Sequence, residues 1–140
     1  LDALGFEPDV VFDTLVECRD LLARTDPADL RAILDRAAET PACAIERPLL
    51  LALPMPDGSR PYAEGVDLAD LLGATRKRIS SHMEKGEGSA ARNLAYLALI
   101  ADALGEKDVF TRTYATYLDQ PRRPASLDTL LSEAAAHAGK

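Results

Sequence analysis

The stretch from Ser89 to Gly105 limits the fold more than any other part of the sequence. Its apolar residues are mostly alanine and leucine at helical spacing, Ser89 precedes them as an N-terminal cap, and Gly105 follows as a typical helix end. Residues that favour strands are scarce, since the chain has three phenylalanines, four tyrosines and no tryptophan. We therefore predict an all-α fold.

Apolar spacing indicates further helices on both sides of this one. The predicted helices span about 8–24, 27–39, 107–118 and, capped by Ser126, 127–137. Residues 41–65 contain several prolines and predict a short apolar helix followed by a long irregular connection. A strand pair around Asp57-Gly58 is the alternative for this connection, and the prolines weaken it. The predicted fold class is a bundle of five to six helices.

The length of 140 residues fits one helical domain, 1–140. The alternative is a division into an N-terminal helical arm (1–47), a proline-rich connection (48–65) and a C-terminal helical bundle (66–140). No apolar run approaches the roughly eighteen residues of a membrane helix. Cys18 and Cys43 lie among apolar neighbours, outside any C-x-x-C pattern, and we expect buried free thiols in the cytoplasm.

Charge is unevenly spread along the chain. The formal net charge is −7, which argues against a protein that coats nucleic acid. Residues 1–75 carry −9, residues 93–140 carry −1, and residues 76–92 carry +3. The bases of this basic segment are Arg76, Lys77, Arg78, Lys85 and Arg92.

The sequence around Gly73 predicts two short helices joined by a tight turn. The first runs from Val66 to Leu72, Gly73 supplies the left-handed turn conformation, and Thr75 caps a second helix that extends to about Lys85. Three consecutive bases then fall in the first turn of the second helix, where the helix dipole disfavours them. Binding of phosphate or of an acidic partner would explain that cost, and a solvated basic face with no partner is the alternative.

The segments "LADLLGATRKRIS" and "EKGEGSAARNLAYLALIADALG" resemble the phage-repressor-like helix-turn-helix family, over about residues 67–105. They resemble catabolite-activator-like regulators less closely. The resemblance implies double-stranded DNA as partner, a role in transcription regulation and a homodimer, because one reading helix contacts few bases. By the same resemblance, the DNA-facing residues are Thr75, Arg76, Lys77, Arg78, Ser80 and Ser81, and the phosphate contacts are Lys85 and Arg92.

The sequence offers no recognisable catalytic or metal site. "GEGSAA" fits a loose dinucleotide-binding loop, but no strand precedes it. His82 and His137 belong to no ligand pattern, and Ser80, Ser81 and His82 point apart on a helix. We expect no enzyme activity, no cofactor and no metal.

A helical protein–protein interaction module is the alternative function, as a scaffold or adaptor domain of a larger protein that binds no nucleic acid. Its contact surface would be the acidic N-terminal helices or the apolar segment 48–55. An acidic protein partner for the basic segment is a further alternative. The aromatic residues Tyr96, Phe110, Tyr114 and Tyr117 recur at helical spacing, which favours core or dimer packing over base stacking.

Overall fold

The computed structural model describes residues 13, 16, 45–54, 59–60, 63, 65–87 and 89–138. Most of these residues are helical and none of them lies in a strand, so the predicted all-α fold is confirmed. The described helices are α1 (Glu46–Leu51), α2 (Leu68–Glu84), α3 (Ala90–Ala103), α4 (Lys107–Leu118) and α5 (Ala125–Ala138).

The chain divides into two compact units, Leu1–Val66 and Asp67–Lys140. The first contains α1, and the second contains α2 to α5. Of the predicted helix over 8–24, the described residues are Asp13 and Val16, both helical. The predicted helix over 27–39, Cys18, Cys43 and the alternative strand pair at Asp57-Gly58 lie outside the described residues.

In the first unit, α1 is the short apolar helix that the sequence predicts within 41–65. Leu49, Leu50, Leu51 and Leu53 are all at most 5% exposed. Residues 48–53 are therefore core, and the hypothesis that the segment 48–55 forms a contact surface is wrong for this part of it.

In the second unit, α2 is one continuous helix of 17 residues. The predicted break at Gly73 is wrong, because Gly73 is helical and lacks the positive φ that a left-handed turn requires. The buried residues Leu72, Thr75 and Ile79 keep helical spacing across this position. Asp67 caps the helix, since its Oδ1 accepts a hydrogen bond of 3.2 Å from the backbone N–H of Asp70.

The segment "KGEG" ends α2 as the sequence predicts. Gly86 has φ +69°, and its N–H donates to the carbonyl of Met83 at 3.1 Å. The N–H of Glu87 donates to the carbonyl of His82 at 2.8 Å, which completes a Schellman motif. Asn93, which is buried, donates from Nδ2 to the Glu87 carbonyl at 3.0 Å and ties this turn to α3.

The end of α3 repeats the arrangement. Gly105 has φ +75° and donates to the carbonyl of Asp102 at 3.2 Å, while Glu106 donates to the carbonyl of Ala101 at 2.9 Å. At its start, the Oγ of Ser89 accepts a hydrogen bond from the N–H of Arg92, at 3.3 Å. The predicted cap and the predicted glycine end of α3 are both confirmed.

Helix α3 lies at the centre of the second unit, where it packs against α2, α4 and α5. Eight of its 14 residues are buried, so the helix is enclosed on most sides. The alanines at 91, 95, 98 and 101 are each at most 3% exposed and permit the neighbouring helices to approach. This arrangement leaves α2 as an outer helix with one buried and one open side.

Helices α4 and α5 close the unit. Phe110 and Tyr117 are buried, which agrees with the predicted core role of the aromatic residues. The Tyr117 hydroxyl donates to Asp128 Oδ1 at 2.7 Å, and Arg123 Nε lies 3.4 Å from the same oxygen. Helix α5 begins at Ala125, so Ser126 lies within its first turn and the prediction of Ser126 as its cap is wrong.

Candidate interaction surface

The residues of α2 opposite its buried side form an open, charged surface. Leu72, Thr75 and Ile79 face inward, and the helical repeat of 3.6 residues places the opposite side about two positions away from each of them. The outer face, as we name it, consists of Asp70, Ala74, Lys77, Arg78 and, at the C-terminal end, Glu84 and Lys85. All six residues are exposed.

Three consecutive bases occupy the middle of α2 and not its first turn. The helix begins at Leu68, so Arg76 to Arg78 are its ninth to eleventh residues. The prediction that they begin a helix is wrong. Because the helix dipole acts within the terminal turns, their position carries no dipole cost that a ligand would have to explain.

Thr75 is 2% exposed, and its Oγ1 donates to the carbonyl of Leu71 at 3.0 Å. A threonine within a helix often satisfies its hydroxyl in this way. Thr75 neither caps a helix nor faces solvent, so its prediction as a DNA-facing residue is wrong.

Arg76 points away from the outer face and pairs with Glu106 at the start of α4. Its Nη2 lies 2.8 Å from Glu106 Oε1, and both atoms are enclosed by the protein. Their alignment does not meet that of a hydrogen bond, so the contact is an ion pair. Arg76 therefore connects α2 to the turn between α3 and α4.

Arg92 is also held within the chain. Its Nη1 donates to the hydroxyl of Tyr96 at 3.0 Å, and its guanidinium carbon lies 5.7 Å from the centre of the Tyr96 ring. Ser81 is half-buried, whereas Ser80 is exposed. Of the eight predicted site residues, the fully exposed ones are Lys77, Arg78, Ser80 and Lys85.

The charges near the middle of the outer face have no partner among the residues that the structure describes. Asp70, Lys77 and Arg78 make no ion pair within the described part of the chain. Helical ion pairs need a spacing of three or four residues, and Asp70 has Gly73 and Ala74 at those positions. Lys77 and Arg78 lie seven and eight residues from Asp70, or about 10–12 Å along the helix axis. The acid and the bases are therefore on one side of α2 but too far apart to neutralise each other.

Metal-ligating side chains do not gather into one site in the described part of the chain. The described residues contain no group of three histidine, cysteine, aspartate or glutamate side chains able to hold a metal ion. His82 Nδ1 lies 3.7 Å from Glu87 Oε2 on the surface. An open groove between α3 and α4 is lined by both apolar and polar side chains, and the Nε of Arg112 and the hydroxyl of Thr116 donate to carbonyls of their own helix. Its lining residues are Leu94, Leu97, Val109, Arg112, Thr113 and Thr116.

None of the described helices has the length and apolar character needed to cross a bilayer. No protein-family model matches the chain, and no curated protein or solved structure matches it. The helix-turn-helix resemblance thus stays a prediction of the sequence, and the site must be argued from the residues themselves.

Sequence reasoning missed Asp70 as a member of this surface and Glu106 and Tyr96 as partners of the two arginines. Tyr96 lies four residues after Arg92, a spacing that places both on one side of a helix. Asp70 lies seven residues before Lys77 and could have been found in the same way once α2 is taken as continuous. The pairing of Arg76 with Glu106 joins residues 30 positions apart, and no local pattern indicates it.

Proposed function

We propose that this chain is a non-enzymatic helical protein-interaction module whose contact surface is the outer face of α2. One observation carries the proposal: this face exposes an acid and two bases that have no partner in the described chain. Charges of both signs at fixed positions on a rigid helix suit a protein surface, which also carries charges of both signs.

The small number of cations on the outer face favours a protein partner over DNA. The outer face offers three cations, Lys77, Arg78 and Lys85, beside the exposed acids Asp70 and Glu84. Proteins that bind duplex DNA firmly make about 6–10 phosphate contacts. Each contact makes log affinity fall more steeply with log salt, by about 0.9 in the slope. Three contacts beside two carboxylates give a binding energy well below that of such proteins.

DNA binding with a role in transcription regulation is the second candidate, because four of the predicted site residues are exposed. It would use Lys77, Arg78, Ser80 and Lys85 from one straight helix, without the turn on which a helix-turn-helix depends. The cytoplasm as compartment, and a homodimer as the assembled form, are likewise proposals.

A charge reversal on the outer face tests the function. The full chain, immobilised, is compared with its Lys77→Glu/Arg78→Glu variant and with Lys107→Glu/Arg112→Glu, which reverses two exposed bases of α4. We expect the wild type and the α4 variant to retain a protein from a lysate of the cells in which the chain naturally occurs. The Lys77→Glu/Arg78→Glu variant should not retain it. The same binding should be reproduced with that protein purified.

Duplex DNA is tested in parallel with a labelled 30-base-pair probe at about 50 mM salt, where electrostatic binding is strong. We expect no binding below about 0.1 mM protein. Firm, salt-sensitive DNA binding that the Lys77→Glu/Arg78→Glu change abolishes would overturn the proposal in favour of the second candidate.

A further inference from the structure

We infer that the partner of the outer face is a second copy of this chain, bound with the two α2 helices antiparallel. The inference rests on the proposed function, since it identifies the partner of the same surface. Its basis is the spacing of Asp70, Ala74, Lys77 and Arg78, all of which are exposed on α2.

Asp70 and Arg78 of the outer face are placed evenly about Ala74. Asp70 lies four residues before Ala74, which is about 6 Å along the helix at 1.5 Å per residue. Arg78 lies four residues after Ala74, at the same distance in the other direction, and Lys77 is its neighbour. Intervals of four residues keep these side chains on one side of the helix.

Such a face is complementary to itself in an antiparallel pair. A two-fold axis at Ala74 brings Asp70 opposite the partner's Arg78, and the symmetry forms the reverse pair at the same time. Lys77 then lies within reach of the same carboxylate. In a parallel pair, Asp70 would face Asp70 and Arg78 would face Arg78, and such like-charge contacts are unfavourable.

The backbone of α2 is open to a second helix at the centre of this face. Ala74 is exposed and small, and a Cβ built on Gly73 meets no atom within 4 Å. Packed helix axes are about 8–10 Å apart, and small residues at the crossing permit the lower end of this range. The aliphatic stems of Lys77 and Arg78 supply apolar contact while their charged ends pair.

The net charge of each unit and the exposure of the ion pairs both affect how tightly two chains bind. Residues 67–140 carry ten bases and ten acids, so the unit that contains α2 is formally neutral, and residues 1–66 carry the whole net charge of −7. The meeting units do not repel each other, whereas the whole chains do. Because exposed ion pairs contribute little each, we expect the dimer to be weak.

Complementary charge reversals in the full chain test this dimer. One variant is Asp70→Lys, which makes the charges around Ala74 wholly basic, and the other is Lys77→Asp/Arg78→Asp, which makes these charges wholly acidic. By sedimentation at about 0.15 M salt, we expect each variant alone to self-associate at least about tenfold more weakly than the wild type. An equimolar mixture of the two should dimerise at least as tightly as the wild type.

Asp119→Lys is the matched control, because it reverses an exposed carboxylate after α4 and should leave the dimer unchanged. Circular dichroism of each variant establishes that the helices are intact. Wild-type chain that stays monomeric up to about 1 mM would overturn the inference, as would a mixture that stays monomeric while the wild type dimerises.

A cysteine substitution measures the register independently. Two residues at a two-fold crossing fall within the Cα separation of about 4.4–6.8 Å that a disulfide requires. We expect Ala74→Cys to give a crosslinked dimer under mild oxidation, beyond any formed by the parent chain with Cys18 and Cys43. Ser80→Cys is exposed on another side of α2 and should not. Equal crosslinking of both variants would contradict the register.

The two proposals fail in different ways. In one outcome, the full chain stays monomeric while another protein binds it, and the Lys77→Glu/Arg78→Glu change abolishes that binding. The inferred dimer is then overturned, and the interaction module stands. If neither self-association nor another protein partner is found, both are overturned.

Discussion

Arg76 binds its own chain, whereas Lys77 and Arg78 beside it extend into solvent. Successive helical residues are about 100° apart, so three adjacent bases cannot act as one cluster. Arg76 reaches Glu106 at 2.8 Å, and Arg92 reaches Tyr96 at 3.0 Å. The basic segment is therefore divided into bases that contact their own chain and bases that are exposed to solvent.

The Arg76–Glu106 pair is expected to stabilise the second unit modestly. Both side chains are about one-third exposed, so solvent screens their attraction. In a double-mutant cycle with Arg76→Ala and Glu106→Ala, we expect a coupling free energy of about 0.5–1 kcal/mol, measured by urea unfolding. Additive effects of the two changes would show that the contact contributes nothing. Neither change should alter self-association, because Arg76 lies off the outer face.

Tyr117 makes stability depend on alkaline pH. Burial, together with the hydrogen bond to Asp128, raises the pKa of the Tyr117 hydroxyl above its ordinary value of 10.0. The folded chain then holds this proton more tightly than the unfolded chain, so the contribution is fully present below pH 10 and is lost as pH rises beyond it. We expect the free energy of unfolding, measured by urea titration, to fall above pH 10.

The Tyr117→Phe variant is the control for this dependence. It lacks the ionisable group, so its free energy of unfolding should decline less steeply above pH 10 than that of the wild type. In the wild type, the phenolate absorbance near 295 nm should include one tyrosine that ionises only when the chain unfolds. The variant should lack this contribution. Equal slopes for both proteins would contradict the assignment.

The ends of the helices were predictable from the sequence because they depend on local hydrogen bonds. Ser89 and Gly105 bound α3 as expected, and α4 spans Lys107–Leu118 as expected. The continuity of α2 through Gly73 could not be predicted, because a glycine in a helix and a glycine in a turn look alike in one sequence. What decides between them is the buried side of α2, which stays in register from Leu72 to Ile79.

Gly73→Ala distinguishes the two conformations of this element. Glycine within a helix costs about 0.5–1 kcal/mol relative to alanine, and the added methyl group at position 73 meets no atom within 4 Å. We therefore expect the substitution to raise the free energy of unfolding by about that amount in thermal or urea unfolding. A left-handed turn at Gly73 would give the opposite sign, since alanine is strained at positive φ.

At the scale of the whole molecule, charge is separated between the two units. The first carries the entire −7 and the second is formally neutral. In the proposed dimer, like charge on the first units opposes association at long range, while the neutral second units can meet without net repulsion. The sequence alone showed the uneven charge, but its meaning depends on where the division falls, at Val66/Asp67.

Salt should change self-association in both directions. The Debye length falls from about 30 Å at 0.01 M to about 10 Å at 0.1 M, which screens the first units before it weakens ion pairs in direct contact. In sedimentation of the full chain, we expect the dimer to strengthen from about 0.01 M towards 0.1 M salt and to weaken towards 1 M. Steady weakening from the lowest salt would mean that repulsion between the first units is unimportant.

The enclosure of α3 also governs how such a protein can change over evolution. A bulkier side chain on α3 would disturb three neighbouring helices at once, whereas α2 commits only a narrow line of residues to the interior. Exposed charges on α2 can therefore be exchanged at little cost to the fold, whereas the alanines of α3 cannot be enlarged. We expect related chains to differ most at the charged residues of the outer face and least at these alanines.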